Sequence, residues 1–276
     1  MKMEKTNAES VWIRFFYGTL PGRLLLKPLV SPWISRLAGR FLDTRISRTL
    51  IPFFRRKYGI SMRNVIVPDG GFPSFNAFFC RKRRGKATDG DASMISPCDG
   101  LLTCIPIRKG SLYDVKHTGF TLAELLGDGR LAEEFQGGTA LIFRLTPAHY
   151  HRYVYAADGE VLSWRRIKGI FHCVRPICTR QIPVYAQNAR EYQVIQTKEL
   201  GKIVQMEVGA MLVGRIVNEP PRSRKAACGE EKGRFEYGGS TIILLLQKGK
   251  IPLGSPLWIR GMREGEQEIT LGERLI

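Results

Sequence analysis

Several features that mark common protein classes are missing from this 276-residue chain. Its six cysteines form no C-x-x-C pair, so we expect no metal site and reduced thiols in a cytoplasmic setting. No apolar run approaches the ~20 residues needed to cross a bilayer. Arg14, Pro21 and Arg23 interrupt the N-terminal apolar stretch, so it does not read as a clean signal peptide. With no repeat and no low-complexity tract, the chain is predicted to be a folded globular protein.

Acidic residues are also scarce, at 25 against 43 Lys and Arg, which gives a formal net charge of +18. Residues 1–58 hold twelve of the basic residues and three of the acidic ones, a local charge of +9. A second basic cluster covers residues 81–86. Such a surplus attracts phosphates, either of nucleic acid or of an anionic membrane.

Residues 11–58 combine Trp, Phe and Leu with Lys and Arg, which predicts amphipathic helices. Pro21, Pro28 and Pro32 should divide this stretch into short helices. Helices of this composition suit the interface of a membrane, but a helical subdomain packed on the core explains them equally well at this point.

The rest of the chain favours strands. Residues 93–107 and 139–155 contain short apolar runs, and 242–246 reads as a central strand buried on both faces. Residues 202–208 alternate like a half-buried strand, whereas the polar segment 218–233 is predicted to be a surface loop. The predicted fold class is therefore α+β, with a β-rich antiparallel core preceded by short amphipathic helices.

Several separate segments offer groups that could do chemistry. Asp99 lies in S-P-C-D-G, His149 and His151 lie two residues apart, and His172 and Ser240 follow further along. The histidine pair could bind a metal, although no third ligand accompanies it. Asp, His and Ser could instead form a proton relay, and Gly-Gly-Ser could be simply a turn.

Five short motifs, taken in order, resemble the pyruvoyl-dependent phosphatidylserine decarboxylases over nearly the whole chain. They are FFCR (78–81), SPCDG (96–100), YHR (150–152), VGAMLVGRI (208–216) and GST (239–241). Each motif is short, but the ordered set is highly specific. One segment departs from the family pattern D-Y-H-R-x-H: His149 stands in place of the acid and Val154 in place of the second histidine. His151 must then serve both proton transfers, or His172 must serve one of them.

The resemblance implies a mechanism for the Gly239–Ser240 bond. Ser240 would attack the Gly239 carbonyl, with Asp99 and His151 as the relay, and the bond would be cut without another enzyme. Ser240 would become a pyruvoyl group, the only cofactor expected, which forms a Schiff base with phosphatidylserine and decarboxylates it to phosphatidylethanolamine. The catalytic residues implied are therefore Asp99, His151 and Ser240.

The resemblance also implies the organisation of the protein. Residues 1–66 would associate with the membrane and residues 67–276 would form the catalytic domain, cut into a large chain 1–239 and a small chain 240–276. The expected partners are phosphatidylserine, an anionic membrane surface and the two cleavage products themselves, with further dimerisation left open and no nucleic acid. The expected location is the cytoplasmic side of the cell membrane, as a peripheral protein.

Three alternatives stay open on the sequence alone. A related decarboxylase could act on another phosphoserine lipid. A serine hydrolase would need a G-x-S-x-G elbow, which does not surround Ser240. A non-enzymatic protein that binds membranes or nucleic acid would explain the charge but not the motifs.

Overall fold

The computed structural model describes residues 11, 14–88, 92–108, 111–112, 120–179, 182–211, 215–219, 224–236, 240–251, 254–262 and 266–276. Short helices form the N-terminal part: α1 (Leu20–Leu29), α2 (Pro32–Leu42), a 3-10 helix (Arg45–Thr49), α3 (Leu50–Tyr58) and α4 (Phe75–Phe79). Pro21 lies in the first turn of α1 and Pro32 begins α2. Backbone N–H groups in the first turn have no partner within the helix, so proline, which has no N–H, loses no hydrogen bond there. The prediction of short helices is confirmed, but Pro28 was wrongly expected to divide them, because it lies inside α1.

Fourteen strands and five further short helices have bounds within the described residues. The helices are α5 (Leu122–Leu126), α6 (Gly129–Glu134), α7 (Pro176–Thr179), α8 (Val184–Gln187) and α9 (Pro256–Met262). The first seven strands are β1 (Val65–Ile66), β2 (Lys82–Arg83), β3 (Gly100–Arg108), β4 (Ser111–Leu112), β5 (Thr139–Leu145), β6 (Arg152–Val154) and β7 (Gly159–Ile167). The others are β8 (Arg190–Gln196), β9 (Lys202–Val208), β10 (Arg215–Asn218), β11 (Lys225–Ala226), β12 (Glu231–Glu236), β13 (Ser240–Leu246) and β14 (Gln267–Ile269).

A nine-stranded sheet forms the core of the protein. Its order is β11-β7-β8-β9-β13-β5-β3-β14, with β4 paired to β3, and every pairing is antiparallel. β13 lies near its centre between β5 and β9. The predicted α+β class, with an antiparallel core after short helices, is confirmed.

The two faces of this sheet carry two separate hydrophobic clusters. Successive residues of a strand point to opposite faces, so Ile243 joins one cluster and Ile242 and Leu244 join the other. All seven residues of β13 are buried, which confirms the prediction of a central strand buried on both faces. The half-buried pattern expected of residues 202–208 is wrong, because Gln205 and Glu207 are also fully buried.

A three-stranded sheet, β10-β12-β6, explains this burial. Lys232 on β12 donates to Glu207 Oε2 at 2.5 Å, and both side chains are fully buried. Burial raises the pKa of Glu207. The predicted surface loop 218–233 is therefore wrong in part, since β11 and the start of β12 lie within it and Lys232 is a core residue.

The N-terminal helices leave large apolar side chains at the surface. These are Leu20, Leu24, Leu25, Trp33, Leu37, Phe41, Ile46, Leu50 and Phe53. Other side chains of the same segment, Tyr17, Leu26 and Val30, are buried in the core. Within the described residues, no helix is long and apolar enough to cross a membrane.

Candidate active site

Two of the connections between the nine-stranded sheet and the three-stranded sheet lead to the predicted site. The first is the segment 146–151, which joins β5 to β6. The second is the segment 237–239, which joins β12 to β13 and lies outside the described residues, so Gly239 cannot be placed. β5 is paired with β13 and β6 with β12, so the strands at both ends of the first connection lie beside the strands that flank residues 237–239. The topology therefore brings His149 and His151 to the predicted cleavage site.

The cross-strand register brings other motifs to the same end of the nine-stranded sheet. Thr241 pairs with Val208 on one side and with Arg144 on the other. Arg144 in turn pairs with Leu101, next to the S-P-C-D-G motif. Ser240 lies one residue beyond this row, and so does Gly209 of the V-G-A motif. Val213 and Gly214, from the second half of that motif, lie outside the described residues.

Ser240 is the first residue of β13 and is fully buried. Its hydroxyl has no hydrogen-bond partner among the described residues, and the same is true of the hydroxyl of Thr241. A buried hydroxyl without a partner carries a desolvation cost that a structural serine would normally avoid. This position fits a serine whose hydroxyl oxygen takes part in a reaction.

His151 is held in one orientation by three neighbours. Its Nδ1 lies 2.9 Å from the carbonyl oxygen of His149, so Nδ1 carries a proton and Nε2 is the basic nitrogen of the neutral ring. Its ring packs on Phe79, with centroids 4.0 Å apart. The Phe235 amide of β12 donates to the His151 carbonyl at 2.8 Å. The ring therefore lies beside the strand that leads to residues 237–239.

His149 occupies the place of the acid in the family pattern, but it has a different local role. Its Nδ1 accepts a hydrogen bond from the Thr146 amide at 2.9 Å, which closes the turn after β5. Burial lowers the pKa of His149, and the nearby Asp99 carboxylate partly opposes that shift. Among the described residues, no group of three His, Cys, Asp or Glu side chains could hold a metal ion.

Asp99 has two partners, and neither is a predicted catalytic residue. Its Oδ1 accepts from the Leu271 amide at 2.9 Å, and its Oδ2 lies 2.9 Å from the Arg83 guanidinium. Within the described residues, Asp99 makes no hydrogen bond to His151 or to Ser240. The structure thus gathers the three predicted residues at one end of the sheet but does not join them in a hydrogen-bonded relay.

His172 reaches the same region through Asn188. The Asn188 side chain donates to the carbonyl oxygens of His172, at 2.9 Å, and of Gly209, at 2.7 Å. The His172 ring lies 3.4 Å from the Tyr17 hydroxyl, and burial lowers its pKa to about 4. At neutral pH this ring is uncharged and packed, which suits a structural role better than that of a proton donor.

Two supporting residues were not found by sequence reasoning. Arg83 pairs with Asp99 and stacks on Tyr150, with its guanidinium carbon 4.4 Å from the ring centroid. Asn188 links the His172 segment to Gly209. Arg83 lay within the basic cluster 81–86, but nothing in the sequence paired it with Asp99. Asn188 had no sequence signal, because its partners are backbone carbonyls.

The family model for phosphatidylserine decarboxylase matches residues 75–276. Phosphatidylserine decarboxylase proenzyme 2 of Clostridium acetobutylicum is 36% identical over 267 residues, which cover 95% of this chain and 90% of the relative. The phosphatidylserine decarboxylase proenzyme of Ruminiclostridium cellulolyticum is 37% identical, with 94% and 88% covered. The proenzyme of the same name from Chlamydia muridarum is 36% identical, with 95% and 89% covered. Together with the ordered motifs at one end of the sheet, these matches show that the chain belongs to the phosphatidylserine decarboxylase family.

Proposed function

We propose that the protein decarboxylates phosphatidylserine to phosphatidylethanolamine, using a pyruvoyl group that it makes from its own Ser240. Family membership supports the reaction, and the relatives named as proenzymes support a processing step. The observation that carries the proposal is the Ser240 hydroxyl, which is buried and without a partner at the start of the central strand.

The proposed processing step uses only groups of the chain and water. Ser240 Oγ attacks the Gly239 carbonyl carbon, the peptide C–N bond breaks, and an ester forms. Loss of the Cα proton of residue 240 then breaks its Cβ–Oγ bond, and both ester oxygens leave on Gly239 as a carboxylate. Water displaces the remaining nitrogen as ammonia, and a ketone stays at position 240.

His151 is the base that we assign to this step. Its Nε2 is the unprotonated, basic nitrogen of the neutral ring, because Nδ1 donates its proton to a carbonyl oxygen. Asp99 would stabilise the imidazolium that results. For this, its carboxylate has to exchange Arg83 for the histidine, because the pair with Arg83 is the contact present now.

When formed, the pyruvoyl group supplies a ketone that takes the substrate amine and accepts the electrons released as carbon dioxide departs. Ser240 pairs with Leu145 of β5, the next residue Thr241 pairs with both β5 and β9, and both residues are fully buried. We infer that this packing limits the access of water to the reacting carbon. We assign the return of a proton to the product to a histidine of the 146–151 segment.

The small chain would remain in the fold after cleavage. Strands β12 and β13 are consecutive in sequence but belong to different sheets. β12 is paired with β10 and β6, and β13 with β5 and β9, all of which belong to chain 1–239. Cutting between β12 and β13 therefore removes no strand pairing. The division at residue 66 between a membrane-associating segment and the catalytic domain stays a prediction.

The exposed apolar side chains of α1, α2 and α3 support peripheral attachment to an anionic membrane. The same segment carries the +9 charge of residues 1–58, and basic residues near anionic lipid stabilise binding by about 1 kcal/mol each. The segment is also joined to the candidate site, since the Phe171 amide donates to the Val30 carbonyl at 2.9 Å. We propose the cytoplasmic face of the cell membrane as its location.

The test is the intact mass of the purified protein. We expect two chains, 1–239 and 240–276, with the smaller one carrying a ketone in place of the amine and hydroxyl of Ser240. Phenylhydrazine, which reacts with ketones, should add to the small chain. Release of carbon dioxide from phosphatidylserine should require the cleaved form.

Ser240→Ala should stay a single chain and release no carbon dioxide. The matched control is Ser163→Ala, which removes the hydroxyl of an exposed serine on β7 and should process normally. A fragment that begins at residue 240 in the Ser240→Ala protein would contradict the proposed nucleophile.

A further inference from the structure

A cavity of about 790 Å³ lies between α2 and the end of the nine-stranded sheet that carries Ser240. Its basic lining residues are Arg36, Arg40, Arg166, Lys168, Arg190 and Arg215. Among the described residues that line it, Asp43 alone is acidic. This imbalance gives the cavity a strongly positive potential, and concave surfaces concentrate such potentials.

Some of these cations already have partners in the fold. Arg166 pairs with Glu191 at 3.0 Å, and Arg215 pairs with Glu236 at 3.3 Å. The buried guanidinium of Arg190 donates to three backbone carbonyl oxygens. These three arginines form part of the cavity wall. Arg166 and Arg215 are paired with carboxylates, whereas Arg190, within the described residues, donates only to backbone carbonyl oxygens.

Arg36 and Arg40 are different, because they are exposed on α2 and have no carboxylate within ion-pair distance in the described part of the chain. They lie one turn apart on the same face of the helix. Two guanidinium groups in this arrangement can bind the same phosphate through paired N–H donors.

The Ser35 hydroxyl is a second, independent sign of a ligand. Ser35 lines the cavity and is only 7% exposed, and its Oγ has no hydrogen-bond partner among the described residues. Gly39, one turn later, is also buried and lines the cavity. A buried hydroxyl on a cationic cavity wall is suited to donate to an anionic oxygen.

The cavity is also close to the candidate site. Ala189 lines it and accepts a hydrogen bond from the Gly209 amide at 2.9 Å, and Gly209 follows the strand paired with β13. Ala189 is therefore two strand spacings, about 10 Å, from Ser240. If the amine of phosphatidylserine is joined to the ketone carbon at position 240, five bonds of about 1.5 Å separate that carbon from the phosphorus, a reach of about 6 Å. An arginine side chain covers the remainder.

On the helical wheel of α2, the two arginines lie between two surfaces. On one side are the exposed side chains of Trp33, Leu37 and Phe41. On the other side are the buried Ser35 and Gly39 at the cavity wall. A lipid with its acyl chains beside the apolar stripe would thus present its phosphate to Arg36 and Arg40.

We propose that this cavity binds the phosphodiester of the lipid substrate, with Arg36, Arg40 and the Ser35 hydroxyl as its ligands. The proposal rests on the proposed function and names its specificity-determining residues. It assigns them to binding and not to self-cleavage, because none of them belongs to the segments next to the Gly239–Ser240 bond.

The test is the double variant Arg36→Gln/Arg40→Gln in the full chain, assayed with short-chain phosphatidylserine below its critical micelle concentration. We expect normal self-cleavage, a KM raised at least tenfold and a kcat within twofold of the wild type. Ser35→Ala should raise KM by about threefold to fivefold, as the loss of one hydrogen bond would. Arg108→Gln/Arg130→Gln is the matched control, since it removes two exposed arginines elsewhere and should leave KM unchanged.

Direct binding separates the sources of phosphate and does not depend on turnover. Glycerophosphoethanolamine, titrated into the purified protein and followed by phosphorus NMR, should bind the wild type at least tenfold more tightly than Arg36→Gln/Arg40→Gln. Inorganic phosphate should bind the wild type more weakly than the glycerol diester does. Equal binding of the diester to both proteins would overturn the proposal, and so would tighter binding of inorganic phosphate.

Two further outcomes would also overturn it. The first is an equal KM in the cavity variant and the control. The second is an effect seen only on anionic vesicles, which would make the cavity a general lipid anchor. Failure of the proposed function looks different: the wild type would stay one chain and release no carbon dioxide, while the titration would still decide whether the cavity binds the diester.

Discussion

The N-terminal helices and the central sheet treat apolar side chains in opposite ways. Every residue of β13 is buried, with alternate side chains in two clusters. In α2, by contrast, Trp33, Leu37 and Phe41 follow one another at a helical spacing and each is more than half exposed. The central strand is covered on both faces, whereas α2 presents an apolar stripe that the described part of the chain does not cover.

The difference teaches where each kind of mutation should act. A change in the sheet or between the two sheets should alter folding or processing, because the groups there are buried and paired. A change on the exposed stripe should alter only the use of a substrate held in a membrane. The predictions below test this division, beginning with the largest expected effect.

On the sheet side, Asp99→Asn and His151→Gln should each slow self-cleavage by about 10² to 10⁴-fold, the usual contribution of a positioned acid or base. The loss of the full-length precursor with time on a denaturing gel gives the rate. Circular dichroism should show that both variants are folded.

Arg83→Gln sharpens this prediction, since Arg83 holds the Asp99 carboxylate in the structure. If Asp99 must leave Arg83 to assist the histidine, Arg83→Gln should process at least as fast as the wild type. Processing at the wild-type rate in both Asp99→Asn and His151→Gln would remove the relay from the mechanism.

The contact between the two sheets should be nearly as sensitive. Lys232→Met leaves the fully buried Glu207 without its ion-pair partner and should lower the free energy of unfolding by about 3–5 kcal/mol. Urea unfolding in the Ser240→Ala background, where the chain stays intact, measures the change. Lys232→Met/Glu207→Leu should regain much of the loss, and a double variant no more stable than Lys232→Met would contradict this account.

The exposed stripe should give a smaller and more selective effect. The triple change Trp33→Ser/Leu37→Ser/Phe41→Ser should reduce decarboxylation of phosphatidylserine in anionic vesicles about tenfold or more, because apolar area no longer inserts. Activity on the short-chain substrate should stay within twofold. The ratio of the two activities is the measurement.

Substitution is a cleaner test here than deletion of the helices. Tyr17, Leu26 and Val30 lie in the same segment but are buried in the core, so deletion would damage the sheet as well. Leu162→Ser/Trp164→Ser removes exposed apolar side chains from β7 and serves as the control. An equal loss on both substrates in the triple variant would mean that the stripe supports the fold and not docking.

The parts of the fold that follow from local patterns could be predicted from the sequence. Pro21 and Pro32 marked the starts of two helices, although Pro28 lies inside α1, and the apolar run of β13 marked a strand buried on both faces. Lys232 and Glu207 could not be predicted as core residues, because their burial depends on the pairing of distant strands. Alternation of polar residues looks the same whether water or a second sheet covers them.

The candidate site shows the same division. The motifs brought Asp99, His151 and Ser240 to attention, and the register brings their segments to one end of the sheet. The Asp99–Arg83 pair and the Asn188 bridge depend on side-chain geometry across strands and loops. Nothing in a linear pattern shows which carboxylate an arginine will meet.

The smallest predicted effect concerns His172, which lies where the N-terminal segment meets the sheet. Burial lowers its pKa to about 4, below the ordinary value of 6.5. Between these values the unfolded chain takes up a proton that the folded chain does not, so stability falls as pH falls through this window. The contribution should be about 1–2 kcal/mol between pH 7.5 and pH 5.

His172→Phe in the Ser240→Ala background should remove that part of the pH dependence. It keeps a ring against Tyr17, whose centroid lies 5.7 Å from that of His172. Urea midpoints at pH 7.5 and pH 5 would show a smaller drop in the variant than in its parent, while His149, whose pKa burial also lowers, still contributes in both. An identical drop would mean that His172 is protonated in the folded protein at pH 5. In that case it could act as a proton donor in the reaction, and the junction between helices and sheet would be part of the chemistry.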